Sequence, residues 1–274
     1  MLPLRTRLAI VLALVAASGA LSMAQRFGVF EGAGAGIRTP PADFSDGAFT
    51  VCKWMFRSER SEPGGIGWST DYPFGEINLL TRLSDLTKVR VSRDAGRNVN
   101  YWVVRVTDDQ LFQCPMLIGS DVGTAGLSSV EVQRLRQYLL KGGFLWVDDF
   151  WGSRAWEQWR SQITKVLPEF PIVDVLATDP IRQTIYAIKD VKQVPSIFSW
   201  GGPGSDPRER GTDSPHAEFR AIADAHGRIM VAMTHNTDIG DSMEREGDDP
   251  AYFAEFSPSG YALATNIAVY ALTH

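Results

Sequence analysis

Residues 115–152 contain the pattern that most limits what this chain can fold into: a strand, a helix and a second strand in succession. The apolar runs Met116–Ile118 and Phe144–Val147 each suit a strand buried on both faces. Between them, Ser128 and Glu131 have the spacing of a capping box that begins a helix, and a Gly-Gly pair ends it. Strand, helix and strand of this length predict a right-handed parallel crossover, and therefore an α/β fold with a mainly parallel sheet.

Two adjacent carboxylates, Asp148 and Asp149, follow the second of these strands. Ligands of open α/β sheets bind beyond the carboxyl ends of the strands, so this position predicts a functional site. Side chains of neighbouring residues on a strand diverge, which leaves one carboxylate for the cleft and the other for a loop. The functional interpretation is a metal ligand, a general base or a hydrogen-bond acceptor; the alternative is helix capping with ordinary solvation.

A second acidic group lies in the segment from His235 to Glu244. Acidic residues spaced by small ones, with Gly240 at a bend, can direct several oxygens at one cation, so a hard divalent cation such as Ca²⁺ is the candidate cofactor. His235 and Asp238 can also form a pair for acid–base work. The alternative is a solvated turn after a strand.

These two groups give the candidate site residues, which lie on loops that follow predicted strands. The candidate catalytic residues are Asp148, Asp149, His235 and Asp238. The candidate metal ligands are Asp149, Asp238 and Asp241. The candidate ligand-binding residues are Ser120, Asp121, Trp151 and Asp241. Trp68, Trp151 and Trp200 lie beside Gly-rich loops, where exposed rings would stack on sugars, although large aromatic side chains are mostly buried.

The motifs resemble a bacterial family called domain of unknown function 4159. The resemblance is carried by a Pro-led strand, a helix L-S-x-x-E-x-x-x-L-R-x-Y-L and a strand end G-G-F-L-x-x-D-D. Asp238–Asp241 resembles the family's D-x-G-D loop, and Asn266–Thr273 resembles its closing helix. The resemblance covers residues 49–274 and implies a flavodoxin-like, class I glutamine-amidotransferase-like three-layer sandwich, but it implies no settled activity.

The cysteines argue against glutaminase activity. In amidotransferases of this kind a nucleophilic Cys follows such a strand, whereas the turn Val147–Gly152 contains none. Cys52 and Cys114 lie in or before strands, without an activating base or dipole in the sequence. They form either a disulfide, if the compartment is oxidising, or two buried thiols; we expect buried thiols, because sequence alone does not establish disulfide geometry.

The N-terminal residues 1–24 are typical of a signal peptide. Arg5 and Arg7 precede the apolar run Leu8–Leu21, and small residues follow it at the cleavage position. The run is shorter than the roughly 20 residues of a membrane span. We expect cleavage, export to the periplasm or the extracellular space, and no membrane span in the mature chain. The alternative is an uncleaved N-terminal membrane anchor.

The rest of the chain divides into a flexible Gly/Pro-rich arm (25–48) and one α/β domain (49–274) with an irregular insertion at 190–215. Further predicted elements are strands at Phe49–Phe56, Lys88–Ser92 and Tyr101–Val106, a hairpin at Phe219–Thr234, a polar loop at His235–Asp249 and a final helix from about Ser259.

Charge narrows the class of partner. Without residues 1–24 the chain has 25 Lys and Arg against 32 Asp and Glu, a formal charge of −7, which argues against nucleic acid. The leading interpretation is a noncatalytic ligand-binding or complex-forming domain of the cell envelope, with a small molecule, a glycan or an envelope protein as partner. The first alternative is a hydrolase, metal-dependent or not, that uses the acidic cluster. The second is a carbohydrate-binding module.

Overall fold

A computed structural model gives the structure of residues 36–274, of which residues 38–274 form one unit. The predicted signal peptide and residues 25–35 of the predicted arm lie outside the described residues. The strands are β1 (Val51–Trp54), β2 (Arg57–Ser58), β3 (Tyr101–Val104), β4 (Leu117–Ser120), β5 (Ala125–Gly126), β6 (Leu145–Asp148), β7 (Ile172–Asp174), β8 (Glu218–Ala223) and β9 (Ile229–His235). The helices are α1 (Phe74–Leu86), α2 (Ser129–Leu140), α3 (Gly152–Val166), α4 (Ile239–Glu244) and α5 (Pro250–Thr273).

Seven strands form one sheet in the order β3-β1-β4-β6-β9-β8-β7. The first five are mutually parallel, and β8 and β7 extend the sheet with antiparallel pairing. Helix α1 connects β1 to β3, and α2 connects β4 to β6, as crossovers between parallel strands require. The predicted mixed α/β fold with a mainly parallel sheet is confirmed.

The helices pack in two groups, which is compatible with a three-layer arrangement. Helices α1, α4 and α5 contact one another, and α2 contacts α3. The predicted capping box begins α2: Ser128 Oγ accepts from the backbone N–H of Glu131 at 3.3 Å, and Glu131 Oε2 accepts from that of Ser128 at 2.8 Å. Gly142 follows this helix at φ +105°, a backbone conformation that favours glycine.

One predicted strand is absent, and one predicted helix begins earlier than expected. Lys88–Ser92 is not a strand. Only Val91 pairs, in an isolated bridge with Phe49, because this segment lies beside the residues that precede β1 and not beside β1 itself. The last helix begins at Pro250 rather than Ser259. Asp249 caps it, because its Oδ1 accepts from the backbone N–H groups of Ala251 and Tyr252, and a proline suits the first position of a helix.

The structure holds residues 38–48 of the predicted arm against the edge of the sheet. The backbone N–H of Val103 donates to the carbonyl of Arg38, and the Arg38 guanidinium lies over the ring of Trp102. Within residues 36–274, no helix combines the length and the apolar character that crossing a membrane requires.

Cys52 and Cys114 form a disulfide, so the expectation of two buried thiols is wrong. Cys52 lies on β1 and Cys114 just before the neighbouring strand β4, and the backbone N–H of Cys52 donates to the carbonyl of Met116 at 2.9 Å. This strand pairing brings the two Cα atoms to 5.9 Å, within the range that a disulfide spans. The bond therefore joins two adjacent strands of the sheet.

We predict that the double substitution Cys52→Ala with Cys114→Ala lowers the free energy of unfolding. The disulfide closes a loop with a sequence separation of 62, for which chain entropy gives about 4 kcal/mol. Urea unfolding of the variant, of the oxidised protein and of the reduced protein measures this difference. Two free thiols in the denatured but unreduced protein would contradict the disulfide.

Candidate functional site

The carboxyl ends of β4, β6 and β9 bring the two predicted acidic groups together. Ser120 at the end of β4 lies opposite Asp148 at the end of β6, and β9 pairs with β6 on its other side. A further carboxylate, Asp71, enters from the loop between β2 and α1. The described acids at this edge with less than a tenth of their surface exposed are Asp71, Asp121, Asp148, Asp149, Asp238 and Asp241.

Asp71, Asp238 and Asp241 form the tightest group. Each offers a carboxylate oxygen, and these oxygens all lie within 4.8 Å of one another. Asp238 caps α4, because its Oδ1 accepts from the N–H of Asp241 at 2.7 Å. This helix stands where a polar loop was predicted, so the loop prediction is wrong for 239–244.

The group matches the predicted metal ligands in part. Asp238 and Asp241 belong to it, whereas Asp149 does not, and Asp71 takes the third place. Asp71 was missed because it sits in a long polar loop without a motif. Its position after β1, the first strand of the sheet, was the one available signal.

Asp148 is held between β9 and α4. The Thr234 hydroxyl donates to its Oδ1, and the N–H of Gly240 donates to its Oδ2 at 2.8 Å. Burial raises the pKa of Asp148 to about 7 against the lowering effect of these hydrogen bonds, and the charge of Asp71 raises it further. Asp148 is therefore a buried carboxyl, held in one orientation, whose pKa responds to the charge of the acidic group.

Asp149 is the most accessible of the six acids, at 9 % exposed. Its backbone is left-handed, at φ +51°, and its Oδ1 accepts from the Trp151 indole N–H at 3.0 Å. Burial, and after it the charges of Asp71 and Asp121, raise the pKa of Asp149 well above its usual range. The pKa of Asp238 is also raised well above its usual range, first by burial and second by the charge of Asp149. The cluster is a region of strong mutual repulsion.

His235 does not join the acidic group, and the structure does not pair it with Asp238. Its Nδ1 lies 2.6 Å from Glu218 Oε2, and its Nε2 lies 3.1 Å from the carbonyl oxygen of Gly152. Burial alone would raise the pKa of Glu218, but the His235 contact and the Arg220 charge lower it overall. With both ring nitrogens occupied, His235 is a structural link between β8, β9 and α3.

The predicted ligand-binding residues have different surroundings. The Ser120 hydroxyl donates to Asp71 Oδ2 at 2.7 Å, so it supports the acidic group. Asp121 turns away, and its Oδ2 accepts from the N–H of Gly67 at 2.8 Å. Burial raises the pKa of Asp121 to about 7, despite this hydrogen bond. Asp241 accepts from the N–H of Ile197 at 2.6 Å.

Lys53 and Glu76 form a buried ion pair beneath the acidic group, which sequence reasoning missed. Lys53 Nζ donates to the carbonyl of Thr70 and to Ser120 Oγ, both at 2.8 Å, and lies 3.1 Å from Glu76 Oε1. Lys53 is fully buried on β1. A lysine within the otherwise apolar strand predicted at Phe49–Phe56 was a signal that could have revealed it.

Residues 193–213, here called the covering segment, cross the acidic edge of the sheet. The N–H of Val194 donates to Thr237 Oγ1 at 3.0 Å, and Ile197 contacts Asp241 as described above. At the other end, Arg210 Nη2 donates to the carbonyl of Pro63 at 2.7 Å, in the loop after β2. The segment contains one short 3₁₀ helix, Gly211–Asp213, and no other helix or strand.

Of the three tryptophans considered for glycan contact, two are buried and one is partly buried. Trp68 is 8 % exposed and Trp151 is 3 % exposed. Trp200 is half-buried and packs edge-on against Tyr252. The geometry therefore gives no support to glycan stacking by these residues.

Comparison with known proteins identifies the family. The chain matches the family described as Domain of unknown function (DUF4159) over residues 60–272. It belongs to this family, as the resemblance of its motifs predicts. A search of the curated proteins finds no match to the chain.

We predict that, in the presence of EDTA, the free energy of unfolding decreases between about pH 5 and about pH 8. The folded protein keeps the Asp148 proton up to about pH 7, whereas the unfolded chain releases it near 3.8. The stabilisation is therefore complete below the pKa of Asp148 in the unfolded chain. It is lost as the pH rises through the pKa of Asp148 in the folded protein, and the loss between about pH 5 and about pH 8 is up to ~3 kcal/mol.

Urea unfolding at the two pH values measures this decrease, and Asp148→Asn is the diagnostic variant. The asparagine keeps an acceptor for Gly240 and loses the titration, so its pH slope is expected to be shallower. An identical slope in the variant and the parent would contradict the assignment.

Proposed function

We propose that this protein is an exported domain that binds a hard divalent cation, such as Ca²⁺ or Mg²⁺, at Asp71, Asp238 and Asp241. The supporting observation is that three buried carboxylates, Asp71 from one segment and Asp238 and Asp241 from another, lie with their oxygens within 4.8 Å of one another. Buried like charges at this separation are unfavourable unless protons or a cation neutralise them. Carboxylate oxygens are the ligands that both cations prefer.

Strand order supports a flavodoxin-like, class I amidotransferase-like assignment within the α/β class. Counted among themselves, the five parallel strands follow the order 2-1-3-4-5, which is the flavodoxin-like order. The turn after β6 carries no Cys, and both cysteines are bonded to each other. A glutaminase of this kind needs a nucleophilic Cys in the turn after β6, and this turn has none. We therefore propose a noncatalytic binding role for the cation site.

Export is supported by the disulfide, because such bonds persist in oxidising compartments. Together with the predicted signal peptide at 1–24, the disulfide supports the proposal that the protein lies in the periplasm or outside the cell. An N-terminally anchored form fits the same reasoning. The cation would orient a ligand that bears oxygen donors, either a small molecule or a protein of the cell envelope.

We predict that Ca²⁺, Mg²⁺ or Mn²⁺ raises the melting temperature of the protein after chelation with EDTA. At a hundredfold excess over the dissociation constant, a ligand selective for the folded state adds ~2.7 kcal/mol, or roughly 5–10 °C for a domain of this size. Asp238→Asn is expected to abolish the rise. Asparagine keeps an acceptor for the α4 cap, so helix α4 is retained.

Asp121→Asn is the matched control for this experiment. Asp121 is equally buried at the end of a neighbouring strand, but its carboxylate contacts Gly67 instead of the acidic group. Asparagine tolerates its left-handed backbone, so the control is expected to keep the full cation effect. Lack of stabilisation by all three cations at saturation would rule out the proposed site.

A second function, metal-dependent hydrolysis, is favoured by the position of Asp149. It is the most accessible acid of the cluster, its orientation is fixed by Trp151, and its pKa is raised well above the usual range. A carboxyl with these properties beside a cation is suited to act as a general base toward a bound water.

For this second function we predict that Asp149→Asn separates binding from catalysis. Cation stabilisation of the variant is expected to match the parent, while cation-dependent hydrolysis of p-nitrophenyl phosphate or p-nitrophenyl esters falls at least ~100-fold. Hydrolysis rates and melting curves of both proteins supply the comparison. If the cation-loaded parent hydrolyses neither class of compound, the hydrolase alternative is abandoned and the binding role stands.

A further inference from the structure

A pocket lies between α1 and the hairpin turn that precedes β3, the terminal strand of the sheet. Its volume is about 410 Å³, which is within the range of small-molecule sites. Three arginines and one carboxylate line it: Arg38, Arg93, Arg97 and Asp94. The pocket therefore carries a positive charge, although the formal charge of the whole chain is −5. None of the lining residues belongs to the acidic group.

Asp94 neutralises one of the three arginines, Arg38. Asp94 Oδ2 lies 3.6 Å from Arg38 Nη2, and this nitrogen also donates to Asn100 Oδ1 at 2.7 Å. The Arg38 guanidinium is thus held by neighbours of its own and forms a fixed wall of the pocket. The two positive charges that remain are those of Arg93 and Arg97.

Arg93 is held in one orientation and still has donors to spare. Its Nη1 donates to the carbonyl of Arg97, and its Nη2 donates to Ser84 Oγ, both at 2.9 Å. A guanidinium has five N–H donors, so three of them remain. The first of these bonds also fixes the Arg93 guanidinium beside the backbone of Arg97, which brings the two arginines together.

Arg97 has a free side chain. It is exposed, and within residues 36–274 it has no side-chain hydrogen bond, ion pair or ring contact. All five of its N–H donors are therefore available to a ligand.

The backbone of Arg97 is left-handed, at φ +67°. Its N–H donates to the carbonyl of Asp94, and the N–H of Asp94 donates to the carbonyl of Asn98, both at 2.9 Å. These bonds close a three-residue hairpin loop whose last position favours glycine. An arginine there costs conformational free energy, and no contact of its side chain offsets this cost. The turn therefore does not account for an arginine, whereas a ligand of the side chain does.

We propose that this pocket binds a soluble phosphate ester, whose phosphate group accepts hydrogen bonds from Arg93 and Arg97. The planar fork of each guanidinium matches a pair of phosphate oxygens. Two free guanidinium groups also balance the charge of a phosphate monoester, which is close to −2 at pH 7. Ile77 and Tyr101 line the same pocket and give the organic part of the ester an apolar surface.

The test is calorimetric titration of the full-length protein with inorganic phosphate and with phenylphosphonate, which resists hydrolysis. We expect saturable binding of both, and tighter binding of phenylphosphonate because its ring meets the apolar wall. Arg93→Gln and Arg97→Gln are each expected to weaken binding at least ~10-fold, as the loss of a charge-assisted hydrogen bond requires. Arg105→Gln is the matched control: Arg105 is also exposed but follows β3 outside the pocket, so binding is expected to be unchanged.

Arg97→Gly separates a ligand-binding role from a structural one. Glycine adopts the left-handed conformation without strain, so the variant is expected to melt at the same temperature as the parent or higher. Its phosphate binding is nevertheless expected to fall at least ~10-fold. A lower melting temperature would show that the Arg97 side chain stabilises the hairpin and would contradict the proposal.

All titrations contain EDTA, so that their result is independent of the proposed cation site, and Asp238→Asn is expected to bind phosphate like the parent. The proposal is overturned if the parent binds neither probe, or if folded Arg93→Gln and Arg97→Gln variants bind as the parent does. Sedimentation with phosphatidylglycerol vesicles, compared with phosphatidylcholine vesicles, tests a membrane surface instead. Vesicle binding that falls in Arg97→Gln, without binding of either soluble probe, would also overturn the proposal.

Discussion

Mutual repulsion among buried carboxylates at one edge of the sheet is the constraint on which the rest of the structure depends. The register of β4 with β6 places Asp148 beside Ser120, and the loop after β9 adds Asp238. Burial raises the pKa of Asp148, Asp149 and Asp238, and neighbouring charges raise each of these pKa values further. Such an arrangement is stable only where protons or cations neutralise it, which is why a cation is the ligand we propose.

Neutral donors hold several of the acids in place, while Arg245 Nε lies 3.5 Å from Asp241 Oδ1. Backbone N–H groups of Gly240 and Ile197 bind Asp148 and Asp241, and the Ser120 hydroxyl binds Asp71. A Cβ at Gly240 would clash with the Asp71 carboxylate, so a larger residue there would displace Asp71. The covering segment crosses the loops around this edge. The geometry is thus fixed before any ligand arrives.

Local patterns in the sequence predicted the scaffold and only part of the site. The capping box at Ser128 and the apolar strands were readable because each is set by neighbouring residues. His235 was wrongly paired with Asp238, because β9 is buried on both faces and its pattern does not reveal which side chains face α4. In the structure Thr234 contacts Asp148 and His235 turns to Glu218. Asp71 was missed, since its position depends on the path of a long loop.

The central claim is that Asp71, Asp238 and Asp241 coordinate one cation, and the most direct test is diffraction from crystals grown with Mn²⁺. Anomalous differences at the manganese edge locate the ion independently of any fitted density. We predict a peak within about 2.0–2.6 Å of oxygens from all three carboxylates. Crystals saturated with Mn²⁺ that show no peak between these three side chains would contradict the account.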